Sequence, residues 1–171
     1  IKQHVFHEDI QVRLLLFRVL TALVETMGNE VKRALLAEMP NLFGPWVAGT
    51  GDMDHSVREA AKKALNTTFK EPAKLYKAVS RFKNEMKRFF EFQLDEAFKG
   101  GSTLTDDVID PRSNVCCCAL NGLGFVAAKL AGQLSSSSSS STAATPPSAA
   151  VIEDIDFILD EICTPLLASG D

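Results

Sequence analysis

The chain has 171 residues, 46% of them apolar and 23% charged, with a formal net charge of −4. That length is enough for one domain with a real core, and no apolar run approaches the roughly 18 residues needed to span a bilayer. Cys116, Cys117, Cys118 and Cys163 lack the paired spacings of a zinc site, and neighbouring cysteines on a helix do not readily bridge, so they read as small buried residues in a reducing, cytosolic compartment.

The chain opens on Ile1, and no basic stretch leads into an apolar core, so the start does not read as a signal peptide. It reads as the edge of a piece cut from a longer polypeptide. Asp9-Ile10-Gln11-Val12-Arg13 then leads into an apolar helix reaching Leu20, and 45 residues later Asp54-His55-Ser56-Val57-Arg58 leads into a helix reaching Leu65. Asp, Val, Arg and Leu keep their relative places, and the period falls within the range of HEAT and armadillo repeats. Each Asp suits a helix start, where free backbone N–H groups and the positive dipole end favour a carboxylate. In the second copy, Val57, Ala60, Ala61, Ala64, Leu65 and Thr68 form a stripe at helical spacing. In the first, the predicted stripe is Val12, Leu16, Val19, Leu20, Leu23 and Met27, with Leu14 and Phe17 on the far side. A helix apolar nearly all round is expected to be covered on several sides.

Between the copies, Gly28-Asn29 ends one helix and opens a partner helix through Leu35, Leu36 and Met39. Pro40 and Pro45 should kink or break it, and Trp46, read as core-lining, precedes a Gly49-Thr50-Gly51 turn. After Pro72 a long helix is predicted over 73–98, its apolar positions being Leu75, Val79, Phe82, Met86, Phe89 and Phe90, continuing less regularly to Leu94, Ala97 and Phe98. A polar loop, 102–112, is long for a connection between packed helices, the kind that is more often functional or mobile than inert. A small-residue helix over 113–134 follows, in which Gly122-Leu123-Gly124 suggests tight helix packing. The Ser/Thr/Pro-rich stretch 135–149 reads as a flexible linker. A last amphipathic helix, about 151–168, should bury Ile152, Ile155, Ile158, Leu159 and Ile162 and show its acids to solvent. The expected fold is therefore all-α: a HEAT/ARM-like α-solenoid fragment over residues 1–134, the linker, and a further helix within 150–171.

Candidate chemistry is sparse. His4 and His7, followed by Glu8 and Asp9, could gather a metal only with ligands that the neighbouring sequence does not supply. His55 sits beside a helix cap and reads as a surface residue. No nucleophile elbow or phosphate-binding glycine loop is present. No catalytic, cofactor or metal residue is assigned in the chain. Charge is more informative, because Arg58 to Arg88 holds ten basic and three acidic residues, +7, leaving −11 elsewhere, with Glu153, Asp154, Asp156, Asp160 and Glu161 gathered near the end. On an ideal helix Lys74, Lys77, Arg81 and Arg88 share an arc of about 60° opposite the apolar face. Four cations on one stripe suit a phosphate backbone or an acidic protein surface. An ordinary solvated face gives the same pattern. No aromatic pattern for stacking on bases is visible, so any nucleic-acid contact should follow shape and charge.

Phe43-Gly44-Pro45-Trp46, the run Asp54 to Phe69, the long helix and Asp110-Pro111-Arg112 follow in an order and spacing that resembles the N-terminal region of the listerin family. These are the RING-type E3 ubiquitin ligases of ribosome-associated quality control. The likeness spans residues 5–134, and the serine-rich tract departs from the family pattern. The resemblance implies a cytosolic parent protein that recognises 60S subunits retaining a stalled nascent chain and ubiquitinates that chain. It implies that the N-terminal helical region contacts the large subunit, through ribosomal RNA and proteins, and the partner nuclear export mediator factor (NEMF). It also implies that the zinc-binding RING, which recruits the ubiquitin-conjugating enzyme, lies at the far C-terminus of the full-length protein. No RING cysteine pattern occurs here, so docking without transfer is expected of this chain, with no membrane partner. The alternative is a HEAT scaffold of another class, a nuclear transport receptor or a phosphatase regulatory subunit.

Overall fold

Helical spacing of apolar residues governs the architecture. The structure, a computed structural model, describes residues 4–26, 28–99, 111–136 and 148–164, and these contain helices and no strand. In chain order the helices are α1 (Ile10–Thr26), α2 (Asn29–Ala37), α3 (Met39–Thr50), α4 (His55–Thr68), α5 (Pro72–Lys99), α6 (Pro111–Ser136) and α7 (Ser148–Phe157), the last continuing as a π-helical stretch, Ile158–Cys163. The fold class is all-α. The core of the predicted linker, 137–147, and most of the predicted loop 102–112 lie outside the described residues, as do Met27 and the side chains of Phe98, Ile155, Ile158, Leu159 and Cys163.

The two copies of the repeated motif come together, because α1 lies along α4. The motif does the same work in each. Asp9 Oδ1 accepts the Gln11 amide at 2.7 Å, and Asp54 Oδ1 accepts those of Ser56 and Val57 at 2.9 and 3.1 Å, covering N–H groups that have no partner within the helix. Each arginine reaches back to the loop before its helix. Arg13 Nη1 donates to the His7 and Glu8 carbonyls at 2.6 and 3.2 Å, and Arg58 Nη1 to those of Asp52 and Met53 at 2.7 and 3.0 Å. The remaining edge of the Arg13 guanidinium grips Asp52, Nε to Oδ2 at 2.8 Å and Nη2 to Oδ1 at 3.2 Å, and so ties the first copy to the loop that opens the second.

The segment between the copies is two helices rather than one. Glu38 closes α2 and opens α3, and Pro40 sits in the first turn of α3, where a missing N–H costs nothing. Contrary to expectation, Pro45 lies inside α3 without ending it, and the helix runs on through Gly49 and Thr50. An interior proline costs about 3 kcal/mol. Here the burial of Phe43, Trp46, Val47 and Ala48 outweighs that cost, as α3 is the central helix against α4, α5 and α6. Trp46 is fully buried, as read from the sequence.

The buried face of α1 is rotated relative to the expected stripe, of which Leu20 is buried and Val12, Leu16 and Leu23 are half-buried. Leu14, Phe17, Leu20 and Thr21 are buried, while Val19 is 47% and Leu15 60% exposed. Phe17 selects this face because its ring lies where any side chain on Gly49 of α3 would collide with it. On α4, Val57, Ala61, Ala64 and Leu65 are buried, and on α5 Leu75, Val79, Phe82, Met86, Phe89, Phe90 and Leu94 are, both as expected.

Helix α6 crosses α3 with the two backbones in contact. A Cβ on Gly122 would meet the Val47 carbonyl, and one on Gly51 the Cys118 carbonyl, whereas Gly124 faces open space. Of the Gly-Leu-Gly motif, Gly122 and the buried Leu123 therefore serve packing and Gly124 does not. The window Ser113–Ala131, mean hydropathy 1.4, has the length and composition of a membrane span, which the sequence reading had not expected. Small residues raise its hydropathy, and Val115, Ala119, Leu123, Val126 and Leu130 put it against α3 and α5 as a core helix.

Candidate functional site

Helix α5 carries cations on two faces, and the structure treats them differently. Opposite its buried face, Lys74, Lys77, Arg81 and Arg88 are all exposed, so the predicted stripe forms on the surface. Lys74 Nζ lies 2.7 Å from Glu71 Oε1, but that pair is well exposed on both sides and leaves the ammonium open to exchange partners. The Arg81 guanidinium lies 5.4 Å from the Phe82 ring centre, which orients it without neutralising it. Among the described residues, no carboxylate pairs with Lys77, Arg81 or Arg88.

The other face is occupied by the chain itself. Lys83 Nζ meets Asp154 Oδ1 at 2.6 Å, and Lys87 Nζ meets Glu161 Oε2 at 2.6 Å and Glu91 Oε1 at 3.9 Å. The Lys87 ammonium is held in its charged form above its ordinary range, chiefly by the hydrogen bond to Glu161. Lys83 also lies over the Phe157 ring at 4.9 Å, and Ile162 is buried nearby in the same core cluster. This corrects two expectations for the last helix. Asp154 is buried rather than solvated, because Lys83 covers it, and Ile152 is 48% exposed rather than buried. Part of the charge polarity along the chain is thus an internal pairing, which sequence reading missed because the partners are 71 and 74 residues apart.

The remaining candidates form no reactive centre. The rings of His4 and His7 are 6.2 Å apart, but His7 Nδ1 accepts the Asp9 amide at 3.1 Å, and no group of three or more His, Cys, Asp or Glu among the described residues could hold a metal. His55 is exposed at the start of α4. Cys117 and Cys118 are free thiols. Cys118 is buried, and burial first, then the nearby Asp52 carboxylate, pushes its thiol up to about 12. Such a thiol is inert as a nucleophile at neutral pH.

Among the described residues, one face of α5 thus presents three cations without an ion pair, Lys77, Arg81 and Arg88, and one loosely paired, Lys74. Residues 2–113 match the family model described as E3 ubiquitin-protein ligase listerin, N-terminal domain. No curated protein and no solved structure matches the chain. The family match takes in α1 to α5 and the first turn of α6, well over half of the sequence. The chain belongs to the listerin family of E3 ubiquitin-protein ligases and carries the region matched by its N-terminal domain.

Proposed function

We propose that this chain is the ribosome-docking part of a listerin-type ligase, bringing the full-length protein to 60S subunits that retain a stalled nascent chain. The observation that carries the reading is the exposed, largely unneutralised stripe Lys74, Lys77, Arg81 and Arg88 on α5, within the family-matched segment. A rigid row of cations about 21 Å long, fourteen residues at 1.5 Å each, suits the backbone of ribosomal RNA, where phosphate contacts position without reading sequence. The capped and cross-braced pair α1–α4 supports a HEAT-like stacking of repeats, with residues 1–134 as the repeat region, 135–149 as a tether and the last helix as an accessory element. NEMF is the expected protein partner, and the cytosol the expected compartment. Ubiquitin transfer, its zinc-binding RING and the ubiquitin-conjugating enzyme belong on this reading to a part of the full-length protein outside this chain. Family membership speaks against a transport receptor or a phosphatase regulatory subunit.

Reversing Lys77, Arg81 and Arg88 to Glu tests the reading. Cosedimentation with purified 60S subunits should fall and lose most of its salt dependence, with helix content unchanged by circular dichroism. Binding equal to that of the unaltered chain would remove the stripe from the account.

A further inference from the structure

Beside the stripe, the surface between α1 and α4 is hollowed along its length. Three adjoining hollows of about 390, 630 and 430 Å³ share walls: Glu25 borders all three, Lys63 the first two, and Lys70 the last two. They form one open groove that starts beside Arg18 of α1 and ends at Lys74, the first cation of the α5 stripe.

The charges in this groove are unevenly answered. Glu59 is taken by Lys62 at 3.0 Å and Glu71 by Lys74 at 2.7 Å. Arg18, Lys63 and Lys70 are exposed and have no ion pair among the described residues, against the single unpaired acid Glu25. Ser56, Asn66 and Thr67 add neutral side-chain donors of the kind that contact phosphate oxygens. Apolar side chains line both ends, Leu14, Ala22 and Ala60 beside Arg18 and Val24, Leu35 and Leu36 toward α2, while the middle hollow is lined by polar and charged residues alone.

We propose that this groove is a second RNA-phosphate-binding arm, joined at Lys74 to the α5 stripe, so that one RNA backbone runs along both. The proposal rests on the reading that the stripe meets RNA. Charge complementarity favours a nucleic-acid backbone over an acidic peptide. Arg18 on α1, Lys63 on α4 and Lys70 in the connection to α5 are spaced along one continuous track, and a polymer charged at every residue can meet all of them at once. An acidic peptide held by a few anchors would need apolar seats along the groove, and its middle offers none.

The test uses the 171-residue chain and an RNA duplex of about 16 base pairs, a length that dedicated duplex-binding domains span. Binding is titrated over a salt series. Substituting Arg18→Gln, Lys63→Gln and Lys70→Gln together should weaken RNA binding by about tenfold or more at moderate salt. It should also reduce the slope of log K against log salt by roughly two to three, since each lost phosphate contact removes just under one. All three side chains are exposed, and circular dichroism should confirm an unchanged fold. If this variant binds RNA like the unaltered chain while the Lys77, Arg81 and Arg88 reversal does not, the groove is not an RNA arm and the stripe reading stands alone. If neither set matters, both readings fall. If a poly-glutamate peptide binds the chain, depends on Arg18, Lys63 and Lys70, and leaves RNA affinity untouched, the groove belongs to an acidic protein partner and the proposal is overturned.

Discussion

The bridge between Arg13 and Asp52 is the sharpest test of how the two copies are joined. Asp52 is almost fully buried, its side chain 4% exposed, and that of Arg13 is 12% exposed. Besides the two-pronged contact with Arg13, Asp52 Oδ1 accepts the Asp54 amide at 2.8 Å at the entry to α4. Asp52→Ala therefore leaves a part-buried guanidinium with only its His7 and Glu8 carbonyl partners and strands the Asp54 amide; removing one partner of a buried pair costs about 3–5 kcal/mol, and this part-buried one should fall near the lower end. For a chain of this size, 1 kcal/mol shifts the midpoint by about 2–4 °C, so the variant should melt roughly 6–12 °C lower for a loss near 3 kcal/mol. Asp52→Asn keeps an acceptor for the Asp54 amide and removes only the charge, so it should lose less. Arg13→Ala and the double variant close a thermodynamic cycle, read by urea unfolding with fixed slope. A coupling well above 1 kcal/mol is expected, as for a partly buried, two-pronged pair. A coupling under about 0.5 kcal/mol, typical of exposed pairs, would refute the claim that this contact braces the copies.

The two glycines of α6 should respond with opposite sign. Gly122→Val forces α6 off the Val47 carbonyl and should cost about 1–3 kcal/mol or more in thermal unfolding, while Gly124→Ala, facing open space, should gain about 0.4–1 kcal/mol. Equal effects would mean that α6 does not cross α3 as described. For the thiols, a group pushed up to about 12 has a thiolate fraction near 10⁻⁴ at pH 8, rising tenfold per pH unit. Native-state alkylation at pH 8 should modify the exposed Cys117 and spare Cys118, as read by fragment-ion mass spectrometry. Equal labelling of both would contradict the burial of Cys118.

What could be read from the sequence depended on whether one face of a helix differs from the other. Helix α5 has apolar residues at 3/4 spacing on one side and Lys74, Lys77, Arg81 and Arg88 on the other, so both its core face and its candidate site were legible. Helix α1 is apolar all round, and periodicity could not tell the Val12–Val19 side from the Leu14–Phe17 side. That choice belongs to Phe17 and the space over Gly49, a contact between residues far apart in sequence. Pro45 was read by local rules, which the burial of the residues around it overrides. The repeated Asp and Arg were visible as a pattern, but the clamp of each Arg on the preceding loop was not. The signal was present, since both arginines follow their cap aspartate by four residues. The docking of Asp154 and Glu161 on Lys83 and Lys87 was beyond sequence reasoning, because opposite charges in distant segments do not declare their partners. The groove was equally hidden, being assembled from α1, α2, α4 and the start of α5.

The central claim is docking to the large ribosomal subunit, and cosedimentation of the unaltered chain with purified 60S and 40S subunits, with and without NEMF and across a salt series, tests it most directly. The account predicts recovery with 60S and not 40S, weakening steeply as salt rises. Equal recovery with both subunits, or none with 60S even in the presence of NEMF, would contradict it.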